Sequence, residues 1–437
     1  SETRLLPVEH PSSKRMPRRV MVLGVGSFAH AVMTILEESG AEICCYLTRG
    51  YGHYGPSLAG TVFDSEKHPS PLPLIESFQP DLIVPMSIAW AEKTWAEGMG
   101  TKPILSPVGK AMQIEISRSF AAKMCKKFGV PVPEFFHADS REEAIEIIND
   151  NPRPYVLKNP TCSPFSPVHT IVCETVEDTL GWIKRIDDSE GVFLQEYIGT
   201  AEAGHFVFIN EGEIQSLVTN QEYKRSFTGN MGPVAGAPLG GIAQTDPDDQ
   251  YGLAEQLILP LKPWFLETGF RGPLQVTAIQ KEGKWHAIEY NIRLGVTTAA
   301  LMLRMLEDPL TNMIDLVENR KPSIKWKSGH NYGCTLTLAG QGYPFVVPFI
   351  PSLPVDVKTP LDCDLWWNEV DIENESLCMA SHQNLDMGHR VCDVNAFSEN
   401  LTDAIKKVYQ NIEKIRCLGS YYRLDLGQSL WPPGRGF

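Results

Sequence analysis

Glu289, Asn291 and Arg293 are spaced by two in the stretch Ile288-Glu289-Tyr290-Asn291-Ile292-Arg293-Leu294-Gly295. On a strand that spacing turns all three toward one face. A carboxylate and an amide oxygen are hard donors suited to Mg²⁺. A guanidinium suits a phosphoryl group in transfer. The same triplet also describes a solvated strand face with a surface ion pair. Lys158 closes the apolar run Tyr155-Val156-Leu157; a lysine there is either a phosphate ligand or an edge solubiliser. Gln221-Glu222-Tyr223-Lys224-Arg225 gathers charge just ahead of residues 229–241, a Gly/Pro-rich stretch too long for a simple turn. Its apolar content and the adjacent basic pair predict an ordered binding loop. Lys224 and Arg225 fit either a phosphate or a substrate carboxylate, and spacing does not separate the two.

These side chains need a frame. Residues 272–279 and the alternation from Ala287 onward predict two neighbouring strands. Residues 19–24 read as a buried strand that runs through Gly24-Val25-Gly26 into a helix ending near Ser39. That arrangement offers backbone N–H groups to an anion, although a lone GxG equally marks a tight turn. Residues 42–47 and 81–85 are further strands, and the alternation with helices predicts a parallel sheet with ligand loops at its carboxyl ends. One helix is expected from residue 110 to Phe128, with Met112, Ile116, Phe120 and Met124 as its packed stripe, and another over 248–268. Strands are expected at 192–198, 202–209 and 213–219, the last two joined by an Asn-Glu-Gly hairpin. The C-terminal part reads as β-rich, followed by an amphipathic helix over 401–415.

A chain of 437 residues can form several domains with sizeable cores. Its net charge of −14 argues against a general nucleic-acid binder, though not against a local basic pocket. The ten cysteines form no CxxC pair, so no zinc site is signalled. Their scatter, with no signal peptide apparent, predicts reduced thiols in a cytoplasmic protein. No apolar run is long enough to span a bilayer.

The order of motifs resembles the ATP-grasp superfamily and, within it, phosphoribosylamine–glycine ligases. The resemblance runs from about Arg19 to Gly427. It is carried by residues 113–120, by 221–225 with Gly232-Pro233, by 288–295 with 302–305, by 338–344 and by 388–391. It implies an α/β fold: a tail over 1–17, a Rossmann-like domain over 18–106, an ATP-grasp domain over 107–329 with a lid near 136–195, and a β-rich α/β C-terminal domain over 330–437. The implied cofactors are ATP and Mg²⁺ or Mn²⁺. Arg118 and Lys158 would hold phosphates, Glu196, Tyr197 and Ile198 the adenine, and Glu202 the ribose. Glu289, Asn291 and Gln275 would ligate the metal. Arg293, Lys224 and Arg225 would act on the transferred phosphoryl group and acyl phosphate. Glu222, Gly232, Pro233, Gly295, Thr297, Ser27, Phe28 and Ser87 would line the substrate sites.

The sequence departs from that family in three places. The lid loop, residues 159–170, contains three prolines and no glycine. Ser27-Phe28-Ala29-His30 and Pro85-Met86-Ser87-Ile88-Ala89-Trp90 replace two phosphoribosyl-contacting loops. Gly295-Val296-Thr297-Thr298 replaces Gly-Asp-Pro-Glu. These departures predict an ADP-forming carboxylate–amine ligase with substrates other than glycine and phosphoribosylamine, acting on a small carboxylate such as an amino acid and on an amine, with no nucleic-acid or membrane partner. A homodimer is compatible with this reading. The purine enzyme itself and a non-catalytic nucleotide-binding protein are the alternatives.

Overall fold

The computed structural model describes residues 17–24, 29–48, 60–161, 170–344, 352–380, 390–427 and 433. The turn carrying Ser27 and Phe28, most of the lid loop and residues 388–389 lie outside these segments.

Three sheets form the frame. The first has four parallel strands in the order Thr61–Asp64, Glu42–Leu47, Arg19–Gly24, Leu82–Pro85. Val20, Val22 and Leu23 are apolar and buried, as a strand covered on both faces requires. The helix His30–Glu38 crosses over this sheet as expected. Trp90, a departure from the family pattern, is buried in the core that this sheet shares with the Trp264–Phe265 region, so it is a packing residue.

The second sheet is small and antiparallel, in the order Phe135–Ala138, Val192–Glu196, Tyr155–Lys158, Ile171–Val172. Helices Arg141–Asp150 and Val176–Ile183 cover it, and Tyr155, Leu157, Ile148 and Leu194 form a core of its own. Ser140 and Thr175 cap these helices by accepting from Glu143 N and Asp178 N. The strand ending at Lys158 is interior. The lysine is 4 % exposed, which rules out the edge-solubiliser reading.

The third sheet has eight strands in the order Lys284–Asn291, Gly272–Lys281, Glu202–Asn210, Glu213–Glu222, Gly240–Thr245, Tyr332–Ala339, Arg390–Ser398, Asp364–Trp367. It runs without interruption across residue 330. The Asn-Glu-Gly hairpin forms as expected, with Glu211 and Gly212 both at positive φ. Helix Leu401–Ile412 packs on this sheet through Val408 and Ile412.

Three expected elements differ. The helix after residue 109 is broken at Ser117, which is extended and pairs with Thr161. The second helix, Arg118–Lys127, begins there, with Ser117 Oγ accepting from Phe120 N. Phe120 is consequently 36 % exposed rather than part of a continuous packed stripe. The expected helix over 248–268 is two helices, Leu253–Leu257 and Lys262–Thr268, with a short 3₁₀ turn between them. Pro260 and Pro263 supply no amide donor for a continuous helix. Residues 229–241 are not one loop: the segments Arg225–Phe227 and Met231–Val234 pair as a hairpin, and the strand Gly240–Thr245 follows.

Candidate active site

The small sheet and the eight-stranded sheet face each other across a cleft of about 570 Å³. Lys158, Glu196, Tyr197, Ile198, Glu202, Glu222, Lys224, Arg225, Pro233, Gln275, Glu289, Asn291, Arg293, Gly295 and Thr297 all line it. These positions span more than 130 residues of sequence, and the two sheets are what brings them together. Gly232 sits at the rim, where its carbonyl accepts from Arg225 Nη1 at 2.9 Å. Ser87 is not a lining residue; it caps the turn after Leu82–Pro85 by accepting from Ala89 N.

Glu289 ends one side of the cleft. Its carboxylate meets Arg118 Nη1 at 3.2 Å. Partial burial works against its ionisation, but Lys224, Arg118 and Lys158 together outweigh that and hold its pKa down to about 2. Lys158 lies opposite, with Nζ donating to Gln195 Oε1 at 2.9 Å. Burial first, and Arg118 second, bring its pKa down to about 7. Lys224 bonds Glu202 at 2.8 Å. Burial opposes its charge, yet Glu202, Glu289 and Glu222 overcome it and raise the pKa. Glu222 shifts upward, chiefly through burial.

The strand Lys284–Asn291 stops at Asn291, so Arg293 lies beyond the sheet ladder rather than on it. It still lines the cleft with Glu289 and Asn291. Asn291 pairs directly across from Gln275 in the neighbouring strand. Gln275 Nε2 donates to Asn220 Oδ1 at 3.0 Å, which fixes which end of its amide is oxygen. That oxygen lies on the Gly295 side of the residue. Glu289 and Gln275 thus offer oxygens, and Asn291 lines the same cleft with an amide that can offer one, residue types that fit a hard divalent cation. Arg225 pairs with Glu174 at 3.7 Å, which places it at the mouth. Glu196 forms an ion pair with Arg153 at 3.4 Å, with the adjoining 197–198 backbone along the same wall.

Sequence reasoning missed Gln195, the partner of Lys158, and Asn220, which bonds Gln275 and also donates to Thr298 Oγ1 at 2.8 Å. Tyr343 and Pro344, from beyond residue 330, close one end of the cleft. Gln195 and Asn220 fall in no motif that carries the resemblance and are neutral. Only the charged neighbour of Gln195 pointed to that strand end.

Two opposed sheets with lysines on one side of the cleft and a strand of oxygen-bearing side chains on the other form an arrangement suited to a nucleotide and a divalent cation. Residues 116–298 match the family described as phosphoribosylglycinamide synthetase, ATP-grasp (A) domain. The phosphoribosylamine–glycine ligase of Lactococcus lactis is 28 % identical over 336 residues, covering 74 % of this chain and 78 % of that protein. The Thermotoga maritima ligase is 24 % identical over 423 residues, covering 93 % and 98 %. The crystal structure of a Thermotoga maritima phosphoribosylamine–glycine ligase superposes with a TM-score of 0.72 at 22 % identity, covering 93 % of this chain and 99 % of that one. A biotin carboxylase from Campylobacter jejuni gives 0.68 at 14 % identity, covering 93 % of each chain. The chain has an ATP-grasp fold and is similar in sequence to phosphoribosylamine–glycine ligases. Among the described residues no helix is long and apolar enough to cross a membrane, and every described cysteine is a free thiol.

Proposed function

We infer that this chain joins a small carboxylate to an amine, using ATP, through an acyl phosphate. The observation that carries the reading is the single cleft holding Lys158, Lys224 and Arg293 against the oxygen donors Glu289, Asn291 and Gln275. A carboxylate oxygen of the substrate attacks the γ-phosphorus of ATP, and ADP leaves. The amine then attacks the acyl carbon, and phosphate departs carrying that carboxylate oxygen. The chain's part is to position the groups and neutralise charge. Lys158 and Arg118 hold phosphate oxygens, the 196–198 wall takes the adenine, and Glu202 takes the ribose. Arg293, Lys224 and Arg225 face the transferred phosphoryl group. A divalent cation, Mg²⁺ or Mn²⁺, held by Glu289, Asn291 and Gln275 would neutralise charge on the phosphate oxygens.

For the substrates, the relatives' names favour glycine and phosphoribosylamine over the altered pair expected from the loops. One of the departures behind that expectation, Trp90, is core packing. Ser27 and Phe28 lie outside the described residues. A different pair retains one supporting observation: Thr297 lines the cleft, and Thr298 binds both Asn220 and Glu222, where the family has an acidic motif. The test is ADP release from Mg-ATP with glycine and phosphoribosylamine, beside a panel of amino acids and amines. Turnover with the first pair supports the purine enzyme. Turnover only with another pair supports altered substrates. ATP binding without turnover on any pair contradicts the ligase reading.

A further inference from the structure

Glu115 belongs to none of the groups assigned above, yet it is a carboxylate only 3 % exposed. A buried carboxylate is costly unless it is paired and hydrogen-bonded. Its partners belong to the functional strand. Oε1 accepts from Ile292 N at 2.7 Å, and Oε2 lies 3.6 Å from Arg293 Nε. The last ladder pair of that strand is Asn291 with Gln275. Among the described residues the ladder stops at that pair, and Glu115 engages both Ile292 and Arg293 just beyond it.

Three residues further on, Arg118 engages the same strand with opposite polarity, pairing with Glu289 at 3.2 Å. This segment is in turn tied to the small sheet. Arg118 Nε donates to Asn159 O at 2.9 Å, Arg118 N donates to Pro160 O, and Ser117 pairs with Thr161. Residues 115–118 thus clasp the metal-donor strand at two points while touching the chain just after Lys158. The break at Ser117 separates the two grips, because its extended backbone is what pairs with Thr161.

We propose that Glu115 is a positioning residue: it holds the Ile292 amide and the Arg293 guanidinium so that Arg293 enters the cleft at a fixed orientation toward the transferred phosphoryl group. This rests on the ligase reading. The side chain does not touch substrate, and it acts through Arg293.

The test is a double-mutant cycle of E115Q with R293A, read as single-turnover ADP release with enzyme in excess so that slow variants remain measurable. E115Q keeps an acceptor for Ile292 N–H and removes the charge facing Arg293. Alone, it is expected to slow ADP release by about 10- to 100-fold, the scale of a misplaced catalytic group, with the ATP affinity within about twofold. In the R293A background the same change is expected to alter the rate by less than about twofold. An unchanged rate in E115Q, or an equal loss in both backgrounds, overturns the proposal. A loss tracked by weaker ATP binding also overturns it, because that is a structural effect. If E115A fails to fold, E115Q still decides. A wild-type chain that releases no ADP overturns the ligase reading, and the proposal with it.

Discussion

Two clusters of ionisable side chains sit on the same eight-stranded sheet and do opposite things. His205, Asp246 and Asp249 place possible ligand atoms within 4.8 Å of one another, and both His205 and Asp246 are buried. Their hydrogen bonds close on themselves. Thr219 Oγ1 donates to Asp246 Oδ2 at 2.6 Å, so the His205 Nδ1–H must donate to Thr219, and Nε2 then accepts from Ser216 Oγ at 2.8 Å. Asp246 Oδ1 accepts from Gln250 N, and both Asp249 oxygens accept backbone amides. The Glu289 cluster is built the other way. Its four cations and four carboxylates pair with neighbours but also line a cleft large enough for a nucleotide. Proximity of titratable groups is common to both, so what separates them is whether the groups face a cleft that can take a ligand.

That contrast predicts separable consequences. The largest effect is expected from Glu289→Ala, which removes the proposed metal donor and a counter-charge of Lys224, Arg118 and Lys158. ADP release should fall by about 10³-fold, the scale of losing several kcal/mol of charge stabilisation. Retained turnover would remove Glu289 from the metal site. Arg293→Lys should cost about 10²-fold in kcat with little change in ATP affinity, as the loss of one preorganised donor does.

An intermediate effect concerns protons. Lys158 has a pKa of about 7 in the free protein, so at pH 8 it is largely neutral. Phosphate oxygens beside it raise that value, so ATP binding at pH 8 should take up as much as about one proton, and at pH 6 almost none. Calorimetry in buffers of different ionisation enthalpy measures this uptake, and Lys158→Met should abolish it. For folding the sign is the same. The buried ammonium lowers stability most below pH 7, and the penalty fades as pH rises toward 10.5.

The smallest catalytic effect belongs to the closed cluster. Asp246→Ala should leave kcat within about twofold while costing about 1–3 kcal/mol of stability by stranding Thr219 and the Gln250 amide. A chelator should not shift its melting temperature. His205 is held near 4, first by burial and against the attraction of Asp246. Stability should therefore fall as pH drops from 6.5 toward 4, because the unfolded chain binds that proton first.

Much of the frame was legible in the sequence because alternation and turn residues are local. The neighbouring strands Gly272–Lys281 and Lys284–Asn291, the Asn-Glu-Gly hairpin and the strand Tyr155–Lys158 fall where the pattern puts them, but the ladder stops at Asn291, short of the expected Arg293. The break at Ser117 was not legible. Serine is tolerated within helices, and what breaks this one is a pairing with Thr161, 44 positions away. The charged site residues were visible through their residue types and the motifs around them. Gln195, Asn220 and Glu115 were not, because their importance lies in what they touch. Glu115 and Ile292 are separated by 177 positions, beyond any periodicity.

The central claim, an acyl phosphate formed in this cleft, is tested most directly with a carboxylate substrate labelled with ¹⁸O in both oxygens. The account predicts that each phosphate released with amide product carries one ¹⁸O from the carboxylate. Unlabelled phosphate, or AMP and pyrophosphate in place of ADP, would contradict it.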